Sequence, residues 1–463
     1  MDADDKEMKM NIAKLFRVVL AAAVAFSSLI LPAQAQVAVP GKTIDQRLGE
    51  IEQEIQVLKR LKEVEQEINF KKEKETPVLK AGSDGFGFTS KDGDYTIKFK
   101  GVVQADSRFF AGDDRTSGVN SFVGRRVRPI LEGTVFKYID YRLMPDFGNG
   151  ATSLQDAYID VKYFKQASLR GGKFKSPFGL EQLQSDSTTF FIERGLPTTL
   201  VPNRDTGFAL YGDLFDNRLR YDAGFFNGAV DSGSIDNDVH DDKDFVARVF
   251  ANPFKDLSQD WLNGLGVGFA GSAGTAHGTT ASPQLPSLRT IGQQTDFSFG
   301  STAIADGNRT RFSPQFYYYW NSVGLLGEYV QSNQTVRIGA RTIEASNNSW
   351  QIAGSYVLTG EKASYNGVIP RNNFDPSKGT WGAFELVGRY HVLNLDEGIF
   401  NQFASVASSI QGAQGYTVGL NWYLNRNLLL KINYDQLFFE GGAVRGLDRE
   451  RENLIATRLQ LAF

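Results

Sequence analysis

The chain has 463 residues, a formal net charge of −3 and no cysteine. This weak negative charge argues against a nucleic-acid partner, and the lack of cysteine excludes a disulfide scaffold and a thiolate metal site. The counts of 47 Gly, 35 Phe and 17 Tyr suit many strands with tight turns and aromatic girdles. The three histidines, His240, His277 and His391, lie far apart in the sequence. We therefore expect no cofactor, no metal site and no enzyme.

Residues 1–35 are predicted to be a secretory signal peptide. Lys9, Lys14 and Arg17 precede an apolar run, and Ala33-Gln34-Ala35 has the small-x-small pattern of a cleavage site. The apolar run, at about 14 residues, is short for a membrane-spanning helix. The sequence therefore predicts export of the mature chain.

Residues 36–80 are predicted to form a periplasmic coiled-coil segment. Ile44, Leu48, Ile51, Ile55 and Leu58 follow the four-three spacing of a heptad seam. Thr76-Pro77 ends the predicted helix, because proline lacks the amide hydrogen and clashes with the preceding turn. An apolar stripe of this kind favours self-association of the helix with other copies of the chain. The alternative is that the helix is a solvated spacer.

Residues 81–463 are predicted to form an all-β domain. From Tyr95 onward apolar and polar residues alternate with a period of two, and about sixteen such runs follow. A soluble sandwich would also alternate, but the chain offers no apolar helices for a second layer and is predicted to be exported. Short connections between the strands alternate with long polar ones, although the long segment 359–381 breaks this order. The last strand ends on the aromatic residue Phe463. The pattern predicts a sixteen-stranded antiparallel transmembrane β-barrel.

Several motifs of the barrel region resemble those of the phosphate- and polyphosphate-selective porins, the porin O and P family. The resemblance covers residues 85–463 and implies a trimeric channel whose third extracellular loop narrows the lumen, where arginines and lysines bind phosphate. The motifs that carry it are Gln104-Ala105-Asp106-Ser107-Arg108-Phe109, Arg125-Arg126-Val127-Arg128, Lys173-Phe174, Phe178-Gly179-Leu180-Glu181, Glu193-Arg194, Leu358-Thr359-Gly360-Glu361, Gly382-Ala383-Phe384-Glu385-Leu386 and Gly419-Leu420-Asn421-Trp422-Tyr423.

The resemblance also implies roles for single residues. Arg108 matches a pore-lining arginine, Arg125 and Arg126 match an arginine pair on the second strand, and Arg194 matches the arginine of the constriction. Asp156 matches an acidic residue that orients those arginines. Alternatives remain: Arg108 and Arg126 could be ordinary lumen charges of a wide pore, and Asp156 could be a loop-end carboxylate. Arg125 would point away from Arg126 unless a bulge intervenes.

The sequence departs from the family in its basic residues. The stretch 181–188 lacks the lysines of the phosphate-selective members. Lys175 and Arg128 stand where those members carry neutral or acidic side chains, so both join the predicted anion-binding set. This redistribution leaves anion preference as the expectation and places phosphate specificity in question.

These observations predict a porin of the bacterial outer membrane with its N-terminal segment in the periplasm. It would pass small anions by diffusion, with phosphate or polyphosphate as the expected substrates, and would form a homotrimer in contact with outer-membrane lipid and lipopolysaccharide. A structural tether that uses the coiled coil and has only a general, non-selective pore is the alternative. An outer-membrane enzyme is a further rival, for which the sequence shows no nucleophile–base pair.

Overall fold

The computed structural model describes residues 43–112, 118–236, 238, 241–256 and 260–463. The predicted signal peptide at residues 1–35 lies outside these described residues. The chain divides into two compact units, Met1–Lys74 and Glu75–Phe463. The N-terminal helix and the strands are therefore described separately.

The described part of the first unit is the helix α1 (Ile44–Glu75). Ile44 is 81% exposed, and even Ile55, the least exposed residue of the predicted heptad seam, is 45% exposed. Each residue of the predicted seam is thus at least 45% exposed, and the coiled coil stays a prediction. Within the described residues, no helix combines the length and apolar character needed to cross a membrane.

The second unit consists mainly of strands. They are β1 (Val78–Gly82), β2 (Gly85–Thr89), β3 (Thr96–Phe110), β4 (Ser121–Val135), β5 (Ile139–Asp146), β6 (Ser153–Phe164), β7 (Ala167–Lys175), β8 (Arg204–Leu214), β9 (Leu219–Phe226), β10 (Asp244–Ala251), β11 (Leu265–His277), β12 (Ser287–Arg289), β13 (Thr295–Ser298), β14 (Ile304–Trp320), β15 (Val323–Ile338), β16 (Arg341–Val357), β17 (Ala383–Asn394), β18 (Ile410–Tyr423), β19 (Leu428–Gly441) and β20 (Glu452–Ala462).

Sixteen of these strands, β3 to β11 and β14 to β20, close into one antiparallel barrel. Each pairs with the next, and β20 pairs with β3, so that Arg458 lies opposite Asp106 across the closing seam. The predicted sixteen-stranded barrel is therefore confirmed. The sequence did not reveal two additional hairpins: β1–β2 extends the sheet beside β3, and β12–β13 lies apart in a loop.

The barrel is apolar outside and polar inside. On β20, Ile455, Leu459 and Leu461 are at least 42% exposed, whereas the alternating Arg458 and Gln460 are buried. A soluble protein would bury the apolar set instead. An exterior of this kind matches the hydrocarbon of a membrane, while the polar interior suits water and ions.

The two ends of the barrel differ. One carries short turns such as residues 136–138 and 321–322, and the other carries long loops such as 176–203 and 278–303. We call them the periplasmic and extracellular ends, because short turns face the periplasm in outer-membrane barrels. The long periplasmic segment 358–382 breaks the pattern, as its sequence indicated. It folds into the lumen, where the Tyr365 hydroxyl donates to the carbonyl of Leu180 at 2.5 Å.

Apolar packing at the extracellular end involves the β12–β13 hairpin. Leu288 and Phe297 are each 1% exposed and belong to one cluster with Leu196, Ile399 and Phe403. Asp296 lies in this hairpin, and neither of its carboxylate oxygens has a hydrogen-bond partner among the described residues. The hairpin thus buries a carboxyl group within an apolar environment.

We expect this hairpin to become less stable as the pH rises from 4 to 7. Burial raises the pKa of Asp296 to about 7, against the opposing charge of Arg449 and with a further rise from Glu452. An unfolded Asp has a pKa of about 3.9. Between pH 4 and 7 the folded hairpin therefore binds a proton at Asp296 that the unfolded chain has lost, and the stability that this proton contributes is lost as the pH rises through 7. Hydrogen exchange of residues 287–298, corrected for intrinsic rates, should show stronger protection at pH 5 than at pH 8. Asp296→Asn should remove the difference, and equal wild-type protection at both pH values would contradict the expectation.

Candidate functional site

Residues 176–203, which we call the inward loop, occupy the lumen. The loop contains the short helix α2 (Leu180–Leu183) and a 3-10 turn at Leu196–Leu200. Phe178, Leu196 and Leu200 are completely buried, which is unusual for a loop, since loops generally run over protein surfaces. This burial shows that the barrel interior surrounds the loop on several sides.

Inward polar side chains from distant strands hold the backbone of the loop. Glu328 of β15 accepts the amide of Leu180 at 2.8 Å, and Asn433 of β19 accepts the amide of Ile192 at 2.7 Å. On β18, the Asn421 side chain donates to the carbonyl of Phe190 at 2.9 Å. These contacts satisfy loop groups that would otherwise be buried without partners. They fix the height at which the loop crosses the lumen.

Asp186 of the inward loop lies among four arginines. Arg194 is 2.5 Å and Arg126 is 3.4 Å from its carboxylate, Arg128 forms a direct ion pair with it, and Arg204 is 3.9 Å away. Two of these arginines are on β4, one begins β8 and one is in the loop itself. The tertiary structure therefore brings four guanidinium groups to one point of the lumen wall.

Glu193 forms a second centre of this kind. Arg125 donates to both of its carboxylate oxygens, at 2.6 and 3.1 Å, and Arg108 lies 3.2 Å away. Arg458 approaches to 3.8 Å while it holds Asp106 with two hydrogen bonds of 2.7 Å. Arg125 reaches this position because the pairing of β3 with β4 shifts at that point and leaves it without an opposite residue. Because of this bulge, the adjacent residues Arg125 and Arg126 both point into the lumen, whereas neighbours on a regular strand point to opposite faces of the sheet.

The other two predicted site residues lie nearby with different partners. The Lys175 ammonium donates to the carbonyl of Gln184 at 2.8 Å and forms no ion pair within the described residues. Asp156 is 2.9 Å from Arg204 and 3.2 Å from Arg142. It therefore pairs with these two arginines, and within the described residues it forms no ion pair with Arg108, Arg125, Arg126 or Arg194, the ones it was expected to orient.

Arg194, which matches the arginine of the constriction, has several partners. Besides its ion pair with Asp186, its guanidinium donates to the carbonyls of Glu181 and Gln184, each at 2.9 Å, and only 12% of the side chain is exposed. Arg194 thus connects the later part of the inward loop to its earlier part, at Glu181 and Gln184, and also pairs with Asp186. Its contribution to selectivity remains a prediction.

Charge within the two centres is nearly balanced. Among the described residues, seven arginine side chains meet Asp186 and Glu193, and Asp106, Asp146 and Asp156 pair with three of them. This set of seven cations and five carboxylates carries two positive charges in excess. In a confined passage with low-dielectric walls, such an excess concentrates anions.

The family described as phosphate-selective porin O and P matches residues 97–463. The chain belongs to this family. Comparison with curated proteins gave no match.

Solved structures support the porin fold of the chain. The outer-membrane channel DcaP of Acinetobacter baumannii is 11% identical with a TM-score of 0.53, covering 81% of this chain and 99% of that one. Pseudomonas putida OprB is 10% identical with a TM-score of 0.51, covering 83% and 100%. Salmonella typhi OmpF is 10% identical with a TM-score of 0.50, covering 80% and 98%. At these identities the likeness concerns the fold alone.

Sequence reasoning about this porin missed the partners of the arginines. Asp186 and Glu193 were visible as acidic loop residues, but no local pattern assigns them to arginines on other strands. Arg458 could have been found, because it alternates with the outward Leu459 and Leu461 on the last strand. Arg204 could have been noticed as the basic residue at the end of the inward loop.

Proposed function

We propose that this outer-membrane porin passes small anions by passive diffusion, with phosphate or polyphosphate as its expected substrates. The observation that carries the proposal is the collection of seven arginines that the described part of the chain places around Asp186 and Glu193 at the inward loop. Guanidinium groups bind oxyanions through charge-assisted, often paired hydrogen bonds. The family to which the chain belongs supports the same substrate class, and channel function rather than catalysis follows from the family and the fold.

The two loop carboxylates fit this proposal. They keep the arginines ordered and limit the net charge, so that an anion entering the site meets prepared donors without being held too tightly. Conduction through a selective channel needs binding strong enough to admit the ion and weak enough to release it. Reversal potentials in planar bilayers under a KCl gradient test the proposal directly: we expect chloride to be preferred over potassium and phosphate to block the chloride current. A cation-selective channel would contradict it.

Replacing Arg194 with Ala should reduce the chloride-over-potassium preference and weaken phosphate block. The effect should shrink at high salt, because the Debye length falls from about 10 Å at 0.1 M to about 3 Å at 1 M. Arg194→Lys should keep the anion preference but loosen phosphate block, since lysine lacks the planar fork. Arg289→Ala, which removes an exposed cation of the extracellular hairpin, is the matched control. Unchanged reversal potentials in Arg194→Ala would assign selectivity to the strand arginines.

We also propose that the porin is a homotrimer. Unheated gels should show a heat-modifiable band at three times the protomer mass. Deletion of residues 43–75 should preserve this band if contacts between barrels dominate assembly, as we expect. Crosslinking that yields only monomer would refute the trimer.

The exposed seam of α1 favours a second candidate function, tethering of the outer membrane through the helix. Ile44, Leu48 and Leu58 are all more than half exposed, so the helix presents an apolar stripe for a partner or for other copies of itself. The same 43–75 deletion separates the two functions. A tether would lose attachment to the cell envelope, whereas a porin would keep its conductance and selectivity.

A further inference from the structure

A second region of the lumen, lined by both charged and aromatic side chains, lies beneath the inward loop, towards the periplasmic end. It is a cavity of about 350 Å³ that reaches Asp213 and Asn217 beside the turn between β8 and β9. We call it the aromatic cavity. Its volume falls within the range of small-molecule sites, roughly 300–1,000 Å³.

Aromatic rings form much of the wall of this cavity. Tyr365, from the periplasmic segment 358–382, stacks on Tyr317 with ring centroids 5.4 Å apart, and Tyr317 lies 5.0 Å from Phe250. Phe174 and Tyr211 complete the aromatic lining. A surface of this kind favours a ligand with a flat apolar part, since stacked rings contribute beyond the burial of area.

Cations outnumber carboxylates in the same lining. Four basic side chains face two acidic ones: Arg170, Lys175, Arg220 and Arg248 against Asp213 and Asp222. Two of the arginines have carboxylate partners that satisfy them. Arg170 binds Asp160 through two hydrogen bonds of 2.7 and 2.8 Å, and Arg220 binds Asp222 through two of 3.2 and 3.1 Å.

Arg248 differs from these two arginines. Its Nε donates to Gln315 at 3.0 Å and its guanidinium lies 4.6 Å from the ring centre of Phe250. Within the described residues its two terminal nitrogens have no hydrogen-bond partner, and it forms no ion pair. Asp222, its opposite residue on β9, is already held by Arg220. A buried guanidinium whose two terminal nitrogens face a cavity without a partner from the described residues is a prepared site for an anion.

We propose that the aromatic cavity binds a small organic carboxylate with a flat apolar ring, and that Arg248 holds its carboxylate group. Lys175, which also lacks a carboxylate partner in the described part of the chain, adds positive charge at the upper rim of the cavity. This ligand class goes beyond the inorganic anions proposed for the arginine centres at the inward loop. Free phosphate fits less well than such a ligand, because Arg248 can bind only part of its oxygens, and the aromatic walls would displace water from the others without offering hydrogen bonds.

Benzoate is the probe that tests the site, with acetate as the matched anion without a ring. In planar bilayers, benzoate should block the chloride current of the wild-type porin at lower concentration than acetate. Arg248→Gln should weaken the benzoate block about tenfold or more, since the charge-assisted hydrogen bonds to the carboxylate are lost. Phe250→Leu should weaken the benzoate block and leave that of acetate nearly unchanged.

Lys162→Gln is the control variant. It removes one cation at the periplasmic end, paired with Asp140, and Lys162 does not line the cavity. A heat-modifiable band shows that each variant has folded, and only Lys162→Gln is expected to keep the chloride conductance of the wild type. If benzoate blocks Arg248→Gln and Phe250→Leu as strongly as the wild type, or fails to block the wild type, the site is refuted and the rings serve only to fix the 358–382 segment. If benzoate block requires Arg248 while the wild type shows no chloride preference, the site stands and the proposed anion selectivity fails.

Discussion

Replacing Asp186 with Asn is expected to produce the largest gain in anion preference of any single change in this porin. The carboxylate of Asp186 lies among Arg126, Arg128, Arg194 and Arg204, where it occupies the place that an anion would take. Asn keeps the shape and one acceptor but removes the charge, and therefore frees guanidinium groups for a permeating ion. At 4 Å, a unit charge interaction is worth about 4 kcal/mol near a protein surface. After the loop rearranges, we expect phosphate block to tighten on the order of tenfold.

The matched control is Asp140→Asn. Asp140 pairs with Lys162 far from the inward loop, so the substitution changes the formal charge by the same amount at a different place. Reversal potentials and phosphate block measured for both variants separate a local effect from a general one. If Asp186→Asn lowers the anion preference, the main role of the carboxylate is to order the arginines, and not to compete with the substrate.

Replacing Arg458 with Met is expected to cause the largest loss of stability. Arg458 and Asp106 are both fully buried and form a doubly hydrogen-bonded pair across the seam between β20 and β3. Removing one partner of a buried ion pair costs about 3–5 kcal/mol, because the remaining charge stays buried without compensation. Urea unfolding followed by heat-modifiable gel migration should show a clearly lower midpoint.

Two further variants make this prediction specific. The double variant Arg458→Met with Asp106→Leu should recover much of the loss, since no uncompensated charge remains. Arg426→Met breaks an exposed pair with Asp84, whose side chains are 51% and 69% exposed, and should cost less than about 1 kcal/mol. Equal midpoints for Arg458→Met and Arg426→Met would show that the seam pair does not stabilise the barrel.

Much of the fold could be predicted from the sequence because its signals are local. Alternation with a period of two depends only on neighbouring residues, and it places sixteen strands and their inward positions before any contact is known. Leu459, Leu461 and Phe463 illustrate this, since their spacing alone places Arg458 inside. The family motifs likewise located the arginines of β3, β4 and the inward loop.

The tertiary structure alone decided how those arginines are used. The inward position of Arg125 depends on a register shift against β3, which no property of β4 by itself reveals. The contacts between Arg108 and Glu193, 85 residues apart, and between Arg458 and Asp106, 352 residues apart, exist only once the barrel has closed around its loop. The aromatic cavity likewise requires Tyr365 to enter from the periplasmic end while β7 to β10 approach from the wall. Sequence determined the strands because strand geometry is local, whereas pairing of charges inside the lumen depends on the path that each loop takes through it.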